Sequence, residues 1–174
     1  GFGARSSFGI RGVRLYVDGI PATMPDGQGQ VSNVDLGSAA AVEVLRGPFS
    51  ALYGNSSGGV VQVFTEDGSG PPRLTVGAGQ GSDGQQRRDA KLAGAQGPLD
   101  YVASVSHFQT DGWRDHGAAR RDIQNIKVGL RLGASGRLTV IGNGVELPSA
   151  QDPLGLSRSE LQADPCGADP AATQ

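Results

Sequence analysis

Long apolar runs are missing from this chain. No stretch of Ala, Val, Ile, Leu, Met, Phe, Trp, Tyr or Cys exceeds four residues, far short of the roughly 20 that a membrane-spanning helix needs. Cysteine is reduced to Cys166, so no internal disulfide can form and no cysteine cluster can hold a metal. Its polar surroundings, Asp164-Pro165-Cys166-Gly167, read as a loop. Histidine is limited to His107 and His116, and no carboxylate pair or His/Cys cluster has catalytic or ligand spacing. An enzyme, a cofactor and a resident metal are therefore not expected. Charge of one sign is also lacking, with 15 Lys and Arg against 17 Asp and Glu. Without a basic stripe the chain has nothing to follow a phosphate backbone, which argues against nucleic acid. It opens at Gly1 with neither Met nor a basic and apolar leader, so any targeting signal is expected upstream.

Glycine is abundant instead, 29 of 174 residues. Each interior helical Gly costs about 1 kcal/mol relative to Ala, so this content points away from a helical bundle and towards turn-rich β structure. Residues 1–68 mix short strands with turns. Val13 to Val17 alternates and ends in Asp18-Gly19, a hairpin signal. Leu36 to Ala41 is predicted as about one and a half helical turns with Asp35 as N-cap. Val42 to Leu45 reads as a strand. Phe49 to Tyr53 reads as a short helix between Pro48 and Gly54, and Val60 to Phe64 as a β-branched strand.

After Pro71-Pro72 the pattern changes to long alternation. Leu74, Val76 and Ala78 oppose Arg73, Thr75 and Gly77. Ile126, Val128, Leu130 and Leu132 oppose Asn125, Lys127, Gly129 and Arg131, and Leu138 and Val140 oppose Arg137 and Thr139. Leu99 to Phe108 is a strand by composition, although Tyr101, Val102 and Val105 fall on both faces. Gly97-Pro98 and Gly133 to Gly136 are tight turns, whereas Gly79 to Arg87, Thr110 to Asp122 and Glu146 to Gln174 are long polar links. Strands of about ten residues joined by alternately short and long turns fit an antiparallel transmembrane β-barrel. A soluble sandwich shares the period of two, so alternation leaves both open.

Two short motifs match without their context. Gly79 to Gly84 fits G-x-G-x-x-G, but no helix follows to meet a pyrophosphate. Gly54-Asn55-Ser56-Ser57-Gly58 fits G-x-S-x-G, but a helix precedes it and a strand follows, the reverse of a nucleophile elbow.

An ordered set of segments is more specific. Ile10-Arg11-Gly12 is followed by Val17-Asp18-Gly19-Ile20-Pro21, then Val42-Glu43-Val44-Leu45-Arg46-Gly47-Pro48, Tyr53-Gly54 and Gly58-Gly59-Val60-Val61-Gln62-Val63. This series closely resembles the plug domain of TonB-dependent outer-membrane receptors, with Gln62 where Asn is usual. The resemblance implies an α+β plug domain over 1–68, its C-terminal two-thirds. The start of a transmembrane β-barrel follows at 69–174, about five strands of an incomplete barrel. Thr110 to His116 resembles the family's first long loops. The tight turns are then periplasmic and the long links extracellular.

The implied function is outer-membrane import of a metal chelate (siderophore-like) or vitamin-like ligand, driven by the TonB complex through an N-terminal box that lies before Gly1. Outer-membrane lipid is the other implied partner. By position, Arg5, Ser6, Ser7, Phe8, Met24, Asp26, Gln28 and Gln30 resemble ligand-facing plug loops. Arg11 and Arg46 match the arginines that pair with barrel carboxylates and lock the plug. The alternative is a secreted or surface structural β protein of adhesin or autotransporter type, against which stands the absence of any 20–50-residue repeat.

Overall fold

The computed structural model describes residues 12–23, 28–29, 34–54 and 56–173. The chain divides into two compact units, Gly1–Asp67 and Gly68–Gln174.

The first unit holds β1 (Val13–Val17), β2 (Ile20–Pro21), β3 (Ala39–Arg46), α1 (Ser50–Tyr53) and β4 (Gly59–Thr65). The sheet order is β2-β1-β4-β3; β1 and β4 run parallel, and the other pairs are antiparallel. Asp18 and Gly19 both have positive φ, 50° and 79°, as a two-residue type I′ hairpin requires. Leu15, Val60 and Val63 form the core. β4 enters between β1 and β3 through Gly58-Gly59. The Gly58 amide donates to the Gly12 carbonyl at 2.7 Å. Gly59 has φ 134°, and a Cβ there would strike the Leu45 carbonyl. Two small residues are needed where the central strand slips between its neighbours. α1 docks through Tyr53, whose ring meets Tyr16 edge-on at 5.6 Å between centroids.

One expectation in this unit is corrected. Leu36 to Ala41 does not form a longer helix. Asp35 does cap, accepting from the Gly37 amide at 3.0 Å, but the 3₁₀ turn stops at Ser38. Ala39 and Ala41 then pair with Thr65 and Phe64. Ladder bonds to β4 outweigh alanine's helix preference, a weak local bias.

The second unit is a five-stranded antiparallel meander in sequence order: β5 (Arg73–Gln80), β6 (Gln86–Gln96), β7 (Leu99–Thr110), β8 (Ala119–Leu132) and β9 (Gly136–Ala150). β8 and β9 are longer than the sequence pattern suggests. The link after β7 shrinks to residues 111–118 and the final segment begins at 151. The added pairs, Thr110 with Ala119 and Ala119 with Ala150, lie among polar residues without alternation. The final segment contains α2 (Arg158–Ala163), opened by a Ser157/Glu160 capping box.

Register assigns the two faces of this sheet. Leu74, Leu92, Ala103, Ile126 and Gly142 form one cross-strand row, and Val76, Ala90, Val105, Gln124 and Gly144 the next. This apolar face is exposed: Leu74 67%, Val76 71%, Val105 53%, Ile126 49%. The opposite face carries the buried positions, including Val102 at 1% and the polar Asp100 and Asn125 at 5% each. A sandwich in water would bury the face that is open here. Apolar out and polar in is the arrangement of a membrane barrel. The poor alternation of Leu99 to Phe108 is explained as well, since Val102 belongs to the polar face.

Candidate functional site

In the first unit, Arg46 ends β3 opposite Gly59, with its side chain exposed. Among the described residues it makes no ion pair. Glu43 lies three residues earlier on the same strand and so points to the other face. Asp18 is engaged elsewhere: its Oδ1 accepts from the Thr65 amide at 2.8 Å, and its Oδ2 from the Thr65 hydroxyl. Gln28 sits half-buried beside Gly29, which bridges to Thr23. Arg5, Ser6, Ser7, Phe8, Arg11, Met24, Asp26 and Gln30 lie outside the described residues. Of the ten residues picked from sequence, the structure therefore places two.

At the end of the meander that carries the long links, residues 111–118 and the final segment fold onto each other around Arg114. Its Nε and Nη2 donate to the Gly167 carbonyl at 3.1 and 2.9 Å, its Nη1 to the Leu154 carbonyl at 2.8 Å, and its Nη2 also to the Pro153 carbonyl at 3.3 Å. The Asp115 amide donates to the Cys166 carbonyl at 2.7 Å, and the Gln151 amide to Ala118 at 2.9 Å. Arg suits this position because its planar fork can serve several carbonyls at once. The exposed Trp113 ring lies 5.9 Å from the same guanidinium. Sequence reading missed Arg114, since its partners are backbone carbonyls 39 to 53 residues away.

On the polar face, Arg137 of β9 reaches across β8 to Asp100 of β7 at 2.9 Å. Gly129 of β8 lies beneath the pair; a Cβ there would come within 2.5 Å of Asp100 Oδ1 and 2.6 Å of Arg137 Nη2. On the apolar face, nearer the long links, His107 Nδ1 and Asp122 Oδ1 are 2.5 Å apart across β7 and β8. Asp122 also meets Arg120 Nε at 3.4 Å. A groove of about 300 Å³ runs beside them, lined on this face by Arg88, Ala90, Val105, His107, Asp122 and Gln124. Among the described residues no cluster of three or more His, Cys, Asp and Glu could hold a metal ion.

A family model described as the TonB-dependent receptor plug domain matches residues 1–61. The chain is 32% identical over 129 residues to the pesticin receptor of Yersinia pestis, covering 68% of this chain and 18% of that protein. It is 34% identical over 140 residues to the vitamin B12 transporter BtuB of Vibrio vulnificus, covering 76% and 22%. Among solved structures it resembles the pyoverdine outer membrane receptor FpvA of Pseudomonas aeruginosa. There the TM-score is 0.67 at 21% identity, over 76% of this chain and 20% of that one. The chain thus spans about a fifth of the length of the relatives it matches.

Proposed function

Because this chain belongs to the TonB-dependent outer-membrane receptors, with their plug domain at residues 1–61, we propose that the protein imports a scarce ligand into the periplasm. The ligand is a metal chelate or a vitamin-like molecule, and the TonB complex supplies the energy. The observation that carries this reading is the succession of a plug-type unit and an inverted sheet. A small mixed α+β unit ends at Asp67, and from Gly68 the chain becomes a meander with its apolar face open and its polar face buried. An adhesin or soluble sandwich has no use for that order.

Within this reading the loops holding Arg5, Ser6, Ser7, Phe8, Met24, Asp26, Gln28 and Gln30 face the ligand. Arg5 supplies a cation suited to an anionic chelate. Arg11 and Arg46 lock the plug by pairing with carboxylates of the barrel. Arg46, exposed and without an ion pair among the described residues, leaves its planar fork open to a bidentate carboxylate partner.

The test is uptake by the full-length protein in outer-membrane cells deleted for their own receptors. Labelled ferric chelates and cobalamin are supplied to isogenic strains with and without TonB. Accumulation of one ligand only in the TonB-positive strain is expected. Equal accumulation in both strains, or none with any ligand of either class, would overturn the assignment.

A further inference from the structure

Boundaries between compact units usually fall in flexible linkers, but here the chain is fixed on both sides of a single residue. In the first unit, Thr65 closes β4 in register with Ala39, and its amide and hydroxyl both donate to Asp18. The next amide, that of Glu66, donates to the Ser38 carbonyl at 2.8 Å. Ser38 is fully buried and itself bonded to the Asp35 carbonyl at 3.2 Å. The first unit therefore holds its chain up to Glu66.

The second unit takes hold at Gly68. A Cβ there would overlap the Gly94 carbonyl oxygen and the Tyr101 amide nitrogen, and would lie 2.5 Å from the Tyr101 carbonyl oxygen. Gly94 and Tyr101 are register partners on β6 and β7. The atoms in the way thus belong to a strand ladder and include no side-chain end that could swing aside. Gly68 has no left-handed φ, so close approach alone demands glycine at this position. Two residues on, the Gly70 carbonyl accepts from the Ala95 amide at 2.8 Å. Pro71 and Pro72 have their φ fixed by their rings, and Arg73 enters β5 opposite Ala93.

Asp67 alone lies between these attachments, and two trans peptide units span at most about 7.6 Å between Cα atoms. We infer that Glu66 to Gly68 is a rigid tether, with Gly68 as its anchor on the β6–β7 ladder. It holds the end of β4, the strand between β1 and β3, so the whole sheet of the first unit is held through an inner strand. That unit cannot swing or be drawn away on a loose linker. The consequence for transport rests on the import reading above: a passage opens by parting strands from β4, not by turning the unit about its junction.

Two changes to the full-length receptor test the anchor and the tether separately. Gly68→Val attacks the anchor, and amide hydrogen exchange in detergent reads it at Ala95. That amide should exchange about tenfold or more faster than in wild type, and Gly68→Ala should give a smaller rise in the same direction. A flexible Gly-Ser insert of about eight residues between Asp67 and Gly68 keeps both attachments and adds slack. Exchange at Glu66 and Ala95 should then stay as in wild type, while cells carrying this variant admit a bulky antibiotic that wild type excludes. Gly155→Ala, where a Cβ meets nothing within 4 Å, should match wild type in both measurements. Wild-type exchange at Ala95 in Gly68→Val would overturn the anchor. Wild-type exclusion of the antibiotic by the insertion variant would overturn the tether. Neither readout uses a transported ligand, so a receptor that imports nothing overturns the import reading alone and leaves the tether to be judged by these two results.

Discussion

Asp18 occupies a left-handed backbone position, where Asp is tolerated because its short side chain can bond locally. Here that side chain also ties the hairpin to the last residue of β4 through the Thr65 amide and hydroxyl. Asp18→Ala removes both acceptors and leaves a part-buried amide unsatisfied. It should cost about 1–3 kcal/mol, seen as a lower urea midpoint for the plug in the full-length protein, while Asp18→Asn should lose less. Gly129 makes a second residue-scale case. Any Cβ there enters the space filled by the Asp100–Arg137 pair. Gly129→Ala should therefore lower the unfolding temperature in detergent by the equivalent of about 1–3 kcal/mol. Combined with Arg137→Ala, which removes the same pair, the losses should be less than additive. Additive losses would show that Gly129 does not serve the ion pair.

The elements beyond the ends of β7 and β9 hold together through backbone carbonyls rather than an apolar core. Arg114 is the common donor, so Arg114→Ala should free the final segment as a unit. Trypsin reads this directly, because Arg158 opens α2 inside that segment. Cleavage after Arg158 should speed up about tenfold or more if roughly 1.4 kcal/mol of opening energy is lost; unchanged cleavage would mean the latch lies elsewhere. The start of α2 is sensitive to pH. The Ser157 hydroxyl and amide hold the Glu160 carboxyl below the ordinary carboxylate value. A depressed value means the cap is at full strength at neutral pH and is lost as pH falls through that lowered value. Amide protection at Glu160 and Leu161 should fall over that acid range, and Glu160→Ala should show low protection at every pH.

For the whole molecule, the exposed apolar face and the free edges of β5 and β9 predict that this 174-residue chain by itself aggregates in water. A monodisperse monomer without detergent, checked by light scattering, would contradict the assignment of that face to lipid. The proposed plug lock belongs to the same scale. Arg11→Ala with Arg46→Ala in the full-length receptor should loosen the plug, since removing one side of a buried ion pair costs about 3–5 kcal/mol. Admission of a bulky antibiotic that wild type excludes is the expected readout, and wild-type exclusion would show that these arginines do not lock it.

Local chemistry alone determined much of this protein. The Asp18-Gly19 hairpin, the Asp35 cap, the α1 helix and the alternating cores of β5, β8 and β9 follow from turn residues and period-two alternation, signals carried within a few residues of sequence, whereas β6 and the irregular β7 do not. The ordered plug motifs pointed to the family for the same reason, and two of them mark backbone constraints, the Asp18-Gly19 turn and the Gly58-Gly59 passage of β4. Other features arise only when distant segments meet. Alternation could not say which face of the meander lies inside, since a sandwich and a barrel share that period; burial of Asp100, Val102 and Asn125 opposite an open apolar face decided it. Pairing with β4 turned Ala39 to Ala41 from helix to strand. Register placed Arg88 beside His107 and Gly129 beneath Asp100 and Arg137. The Arg114 latch was invisible in sequence because carbonyl acceptors carry no residue identity. They become a site only when the fold turns them towards one guanidinium.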